Sequence, residues 1–247
     1  MRIILSPAKK MKLDDSLDFK DYPIYLDNTK EIRMYLKTLD FDSLKKLWKC
    51  NDTLVNQNMH RLEHMNLDSN LGCAILCYEG IAFQHMAPNV FSNDEFDYIQ
   101  SHLRILSAFY GILKPMDGIT PYRLEMQANA SINGFKDLYA YWGSKLYEQV
   151  IDDSHIIINL ASKEYSKCIE PYLKKEDRFI TIHFVEMNKG KLVTKGTYAK
   201  MARGEMVRYM ASHHIEDVEE IKVFHHLGYH YREDISSQTE FVFERSL

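Results

Sequence analysis

Apolar and polar positions follow two different periods along the chain. Arg2 to Leu5 is a short apolar run halted by Ser6-Pro7, and it reads as a central strand. Leu103, Ile105 and Leu106 make a second run, which passes into the small residues Ser107, Ala108 and Gly111. Ala74–Tyr78 (AILCY) is a third strand candidate, and His155–Leu160 (HIIINL) is the strongest. Phe179–Val185 alternates, turns at Asn188–Gly190 and returns through Leu192-Val193, the pattern of a hairpin with a longer loop. Glu240–Glu244 (EFVFE) is a last alternating strand.

Helical spacing fills the intervals. Ile32, Tyr35 and Leu36 share one side of Thr29–Lys37. Asp42 or Ser43 is placed to cap a helix over Leu44, Leu47 and Trp48, and Asn51 or Asp52 to cap the next, with Leu54, Val55, Met59 and Leu62 inward. Ser92–Gln100 reads as a capped helix. Lys136–Val150 reads as an amphipathic one, with Leu138, Tyr141, Trp142, Leu146 and Val150 on its apolar face. Thr197–Ser212 is a further helix, burying Tyr198, Met201, Ala202, Met206, Tyr209 and Met210. Residues 12 to 27 keep no period and read as loop. With no internal repeat and no low-complexity linker, these elements predict a mixed α/β fold: one domain over residues 1–247 around a central mixed sheet.

Composition then narrows the function. A chain of 247 residues with 45% apolar and 27% charged positions can bury a large core, as ordinary soluble proteins do. Its net charge of −4 leaves any polyanion-binding surface to a local basic patch. Cys50, Cys73, Cys77 and Cys168 form no C-x-x-C pair, and the opening MRIILSPAKK is too short an apolar run for export. Reduced thiols in a cytoplasmic protein are therefore expected. No stretch reaches the apolar length of a membrane span, so no membrane partner is expected.

The candidate chemistry gathers where strands end. His102–Met126 runs from a strand into a loop broken by Pro115, Asp117-Gly118 and Pro121, and then presents Tyr122, Arg123 and Glu125. Such a loop either displays a site or is scaffolding in which Arg123 and Glu125 pair. Ser6 and Lys9 follow the first strand, as an anion cradle or a solvated turn. Asn159, Ser162 and Glu164 follow the strongest strand. Lys200 and Arg203, in the most basic segment (Lys189–Arg208), emerge on one side of their helix, as phosphate contacts or as a solvated face. If the strands ending at Ser6, Ser107 and Asn159 are sheet neighbours, all these groups open onto one edge together with Tyr110. Ser6, Lys9, Ser107, Tyr110, Arg123, Asn159, Ser162, Lys200 and Arg203 are then the ligand- or phosphate-binding candidates. Glu125, Glu164 and Tyr122 are the catalytic ones.

Two further clusters carry chemistry. Lys45, Lys46 and Lys49 flank the connection between two short helices, with Arg61 on the second, as a DNA-contacting hairpin or as ordinary helical packing. The connection lacks the glycines that bring backbone amides close to phosphate. His213, His214, His225, His226 and His230 cluster without a cysteine or acidic residue at ligand spacing, so neither a metal nor a cofactor is expected.

Read in order, SPAK at Ser6–Lys9, LRILSAFYGILKPMDGITPYRLEM at Leu103–Met126, YWG at Tyr141–Gly143, NLASKEYSK at Asn159–Lys167 and AKMARGEMVRYM at Ala199–Met210 span nearly the whole chain. Together they resemble the YaaA (DUF328, UPF0246) family of peroxide-stress proteins. The chain departs from the family pattern at Ala108, at Gln127 and at Tyr78–Ile81. The resemblance implies a role in protecting cells from hydrogen peroxide by limiting free intracellular iron. It also implies a bowl-like α/β fold with a basic cleft, and a helix–hairpin–helix element near Ser43–Met65 that binds duplex or distorted DNA. Two functions follow as expectations. One is a DNA-binding stress protein. The other is an enzyme acting on a nucleotide, nucleobase or other phosphorylated ligand in the same cleft. Direct iron binding would need a carboxylate–histidine or thiolate set at ligand spacing, and the sequence contains none.

Overall fold

The computed structural model describes residues 1–246. The chain opens with β1 (Arg2–Leu5), then forms α1 (Leu26–Lys37), α2 (Phe41–Trp48) and α3 (Asp52–His64). The short strand β2 (Gly72–Cys73) leads to α4 (Ala74–Cys77), α5 (Ile81–Met86) and α6 (Asn93–His102). Next come β3 (Leu103–Ser107), β4 (Gly111–Leu113), β5 (Gly118–Ile119), α7 (Leu138–Trp142), α8 (Lys145–Val150), β6 (Ile156–Asn159) and α9 (Lys163–Ser166). The last part holds β7 (Arg178–Asn188), β8 (Lys191–Val193), α10 (Gly196–Ser212), α11 (Val218–Ile221), β9 (Tyr229–Tyr231) and β10 (Glu240–Arg245).

Eight of these strands make one mixed sheet, ordered β4-β3-β1-β6-β7-β10-β9 with β8 attached to β7. β3, β1, β6, β7 and β10 run parallel, while β4, β8 and β9 are antiparallel additions. Ile3, Ile4 and Leu5 are fully buried, as a central parallel strand covered on both faces requires. From β1 the chain crosses to β3 on one side and returns later to β6 on the other. The border between β1 and β6 is thus the point where the winding reverses, and open α/β sheets leave a crevice there, past the carboxyl ends of the strands.

Local chemistry accounts for the helix starts. Asn51 accepts the Leu54 amide at 3.0 Å and caps α3. Ser92 and Glu95 form a reciprocal capping box at the start of α6. The cap of α2 is Asp40, whose carboxylate accepts the Ser43 amide at 2.9 Å; neither Asp42 nor Ser43 fills that position. Ala74–Cys77 is one buried helical turn and not a strand. A short run that is apolar on every side looks the same in either conformation, and here Ala74 and Ile75 donate to the carbonyls of Asp117 and Pro115. The expected helix over Lys136–Val150 is two helices, broken at Gly143 with φ +52°, a conformation that favours glycine.

Asp117, in the turn that leads to β5, is only 4% exposed and accepts the Lys114 amide at 2.8 Å. Burial pushes its carboxyl up to about 7. Because the folded value lies above the ordinary one, the folded state prefers the protonated acid. That contribution is complete below the ordinary carboxylate range and is lost as pH rises through about 7. Asp117→Asn keeps an acceptor and cannot ionise, so it should be more stable than the parent at pH 8 by about 2 kcal/mol, with the gap closing toward pH 5. Thermal melts at the two pH values check this, and an equal difference at both would remove burial of the charge as the cause.

Candidate functional site

Past the carboxyl ends of β1 and β6 lies a concave cleft of about 400 Å³. The loop after β1 supplies Ser6 and Lys9, and the loop after β6 supplies Ser162 and Glu164. Tyr122–Glu125 forms a third side, and α5 with Lys200 and Arg203 of α10 closes the cleft. The Ser162 amide donates to Ser6 Oγ at 2.8 Å and the two hydroxyls lie 3.1 Å apart, which pins the two strand ends together. A Cβ on Gly80 would fall 2.6 Å from the Ala8 methyl, so the start of α5 approaches the first loop as closely as only glycine allows.

Five cations line the cleft (Lys9, Lys10, Arg123, Lys200, Arg203) against three carboxylates (Glu79, Glu125, Glu164). Glu125 sits between two of the cations. Its Oε2 is 2.5 Å from Lys9 Nζ, and its Oε1 accepts from Arg123 Nη2 at 3.0 Å. Lys10 pairs with Glu79 at 3.3 Å. Glu164 accepts the Gln127 amide at 3.2 Å. Among the described residues, Lys200 and Arg203 have no carboxylate partner, so the local excess of positive charge resides on them. Burial lowers the Arg203 pKa, and its Nε has no acceptor. A desolvated, unpaired guanidinium is costly to hold unless an anion completes it.

The aromatic residues Phe83, Tyr122 and Tyr165 also line the cleft, each at most 5% exposed. The Tyr122 hydroxyl is bonded to Ser107 Oγ at 2.7 Å and to the Tyr78 hydroxyl at 3.0 Å, and burial raises it to about 12. Burial likewise carries the Tyr165 phenol well above its ordinary value. Both phenols stay neutral at physiological pH.

Three of the residues read from the sequence stand behind the cleft wall. Ser107 Oγ accepts the amides of Phe109 and Tyr110, at 3.2 and 2.9 Å, and shapes the turn after β3. The Tyr110 hydroxyl donates to the Thr120 carbonyl and accepts the Thr120 amide, fixing the loop that carries Tyr122. Asn159 Oδ1 accepts the Ala161 amide at 2.9 Å, and its Nδ2 donates to Thr181. Glu79, Phe83 and Tyr165 line the cleft without having been singled out. Glu79 directly follows the Ala74–Tyr78 run expected as a strand, Tyr165 follows Glu164 past the end of β6, and Phe83 lies in α5, where no sequence signal marked it.

The α2–α3 pair lies apart from this site. Lys45 is 2.6 Å from Asp52, and Arg61 is turned inward, its Nη2 donating to the Met11 carbonyl at 3.0 Å. Burial lowers the Arg61 pKa. Lys46 and Lys49 are exposed. Of the clustered histidines, His226 approaches Glu205 at 3.6 Å, as does His85 at 3.4 Å from the other side. Among the described residues, no group of three or more His, Cys, Asp and Glu side chains is placed to hold a metal ion, and no helix is long and apolar enough to cross a membrane.

A mixed, largely parallel sheet with a partly unneutralised crevice at its winding reversal places the chain among the open α/β proteins. The model of the peroxide stress protein YaaA family matches residues 1–235, and the chain belongs to that family. A UPF0246 protein of Agathobacter rectalis is 60% identical over 248 residues, covering the whole of both chains. One of Lachnoclostridium phytofermentans is 51% identical over 244 residues, 98% of this chain and 96% of that protein. One of Desulfitobacterium hafniense is 47% identical over 248 residues, 100% of this chain and 99% of that protein.

Proposed function

We propose that the protein serves the peroxide-stress response by binding DNA through this basic cleft, seating phosphate on Lys200 and Arg203. The supporting observation is the pair of unneutralised cations in the cleft at the winding reversal. A volume of about 400 Å³ suits one unpaired nucleotide better than a duplex, so distorted or open DNA is the favoured form. Shielding such DNA limits iron-driven oxidative damage without a metal centre in the protein, and a DNA partner together with free thiols supports a cytoplasmic location. The test is a titration of labelled DNA carrying an unpaired bubble, and of the matching duplex, from low to moderate salt. The bubble should bind more tightly, with affinity falling steeply as salt rises because phosphate contacts release counterions. A flat salt response, or no binding, would sink the reading.

One observation favours a second reading, an enzyme acting on a nucleotide, nucleobase or other phosphorylated ligand in the same cleft. Glu125 stands between Lys9 and Arg123 inside a confined site, where a carboxylate can act as acid or base, with Glu164 and Tyr122 nearby. Glu125→Gln separates the two readings. Under DNA binding it releases Lys9 and Arg123 for phosphate, and affinity for bubble DNA should rise by about three- to tenfold, the scale of one added phosphate contact. Under catalysis, turnover of a bound nucleotide, followed by chromatography of the products, should fall by about a hundredfold or more.

A further inference from the structure

A second cavity, of about 230 Å³, lies near the start of β3, away from the carboxyl ends of β1 and β6. It shares no lining residue with the cleft. Arg104 lines it and is only 7% exposed. Its Nη1 donates to the carbonyls of Gln100 and Leu103, at 3.1 and 2.8 Å, where α6 ends and a cation is favoured. That role uses one nitrogen. The Nε–H and both Nη2 hydrogens have no acceptor among the described residues. These donors keep solvent contact, so they are open to an acceptor that enters the cavity.

The rest of the lining says what that is. Lys114 adds a second cation, while Asp21 and Asp117 add two acidic groups, Asp117 becoming a full carboxylate only as pH rises past about 7. Asp117 commits one oxygen to the Lys114 amide. A phosphate would face two acidic groups here, whereas a planar carboxylate matches the free edge of a guanidinium in bidentate fashion. A ligand that also carries a positive donor would answer the two aspartates. Ile24, Ile112, Leu113 and the Tyr22 ring complete the wall with apolar surface.

We propose that this pocket is a second binding site and takes a zwitterionic α-amino acid, its carboxylate on the free edge of Arg104, its ammonium toward Asp117 and Asp21, and its side chain on the apolar wall. The site is independent of what occupies the cleft.

Calorimetry and ligand-observed NMR with the common L-amino acids test this, with acetate and inorganic phosphate as comparison probes. At least one amino acid should bind saturably, and acetate and phosphate about tenfold more weakly or not at all, since each lacks one half of the recognition. Arg104→Lys keeps a cation at the end of α6 but removes the planar fork. It should fold and lose about tenfold or more in amino-acid affinity. Asp117→Asn should weaken amino acids while leaving acetate unchanged. No saturable binding by any amino acid overturns the proposal. So does phosphate binding as tightly as the amino acids, or binding undiminished in both variants.

Discussion

A Gly204→Ala variant is expected to lose about 3 kcal/mol of stability, or to fail to fold at physiological temperature. The sign is not obvious from the sequence. Gly204 lies in the middle of the seventeen-residue helix α10, where alanine would ordinarily gain about 1 kcal/mol in propensity. The packing reverses that gain. A Cβ at Gly204 would sit 1.9 Å from the Ala82 carbonyl oxygen, 2.8 Å from its carbon and 3.0 Å from the Met86 nitrogen. All three are backbone atoms of α5, so no rotamer change relieves the contact and the two helices must separate. The same helices carry Phe83, Gln84, Lys200 and Arg203 into the lining of the cleft. Separation should therefore widen the site as well as weaken the fold. Denaturant unfolding measures the first effect and DNA affinity the second. A variant with an unchanged melting temperature would show that the α5–α10 approach is looser than described.

That glycine marks the boundary of what the chain discloses by itself. Periodicity is a local property, and it placed β1, β6, the β7–β8 hairpin and α10, because each has a one-sided or continuous apolar pattern with a clear stop. Strand-end logic accounts for Ser6, Lys9, Ser162 and Glu164, since parallel strands around a winding reversal deliver their following loops to the same edge, while Arg123 and Glu125 reach the cleft on the loop after β5 and Lys200 and Arg203 on helix α10. Orientation within those loops was not readable. Ser107, Tyr110 and Asn159 follow the same strands, yet nearby amides and carbonyls claim their polar atoms, and they brace the site from behind. Arg61 shows the same competition: a cation placed for phosphate by spacing is drawn inward by the Met11 carbonyl. The strand expected at Ala74–Tyr78 failed for a different reason, and Gly204 carried no signal at all. Both are decided by partners far away in sequence, the Asp117 and Pro115 carbonyls in one case and the α5 backbone in the other.

Reversing the charge of both Lys200 and Arg203 to Glu should weaken binding of bubble DNA by about a hundredfold at low salt and flatten the logarithmic salt dependence by about two units, since each lost phosphate contact removes close to one released counterion. Reversing Lys46 and Lys49 changes the net charge by the same amount on an exposed face outside the cleft. A general electrostatic attraction would treat the two pairs alike. A seated phosphate would not, because the Arg203 side chain is half-buried, with its Nε out of solvent, and its electrostatic interactions are screened less than those of an exposed lysine. The comparison therefore decides where on the protein the DNA lies. If the hairpin pair costs as much as the cleft pair, the cleft is not the DNA seat. A selective loss in the Lys200 and Arg203 variant, with the duplex less affected than the bubble, would locate an unpaired nucleotide against Tyr122 and Tyr165. Arg203→Lys refines the result: it preserves the charge but not the planar donor pair, so it should recover the salt slope while leaving a deficit of about tenfold in affinity.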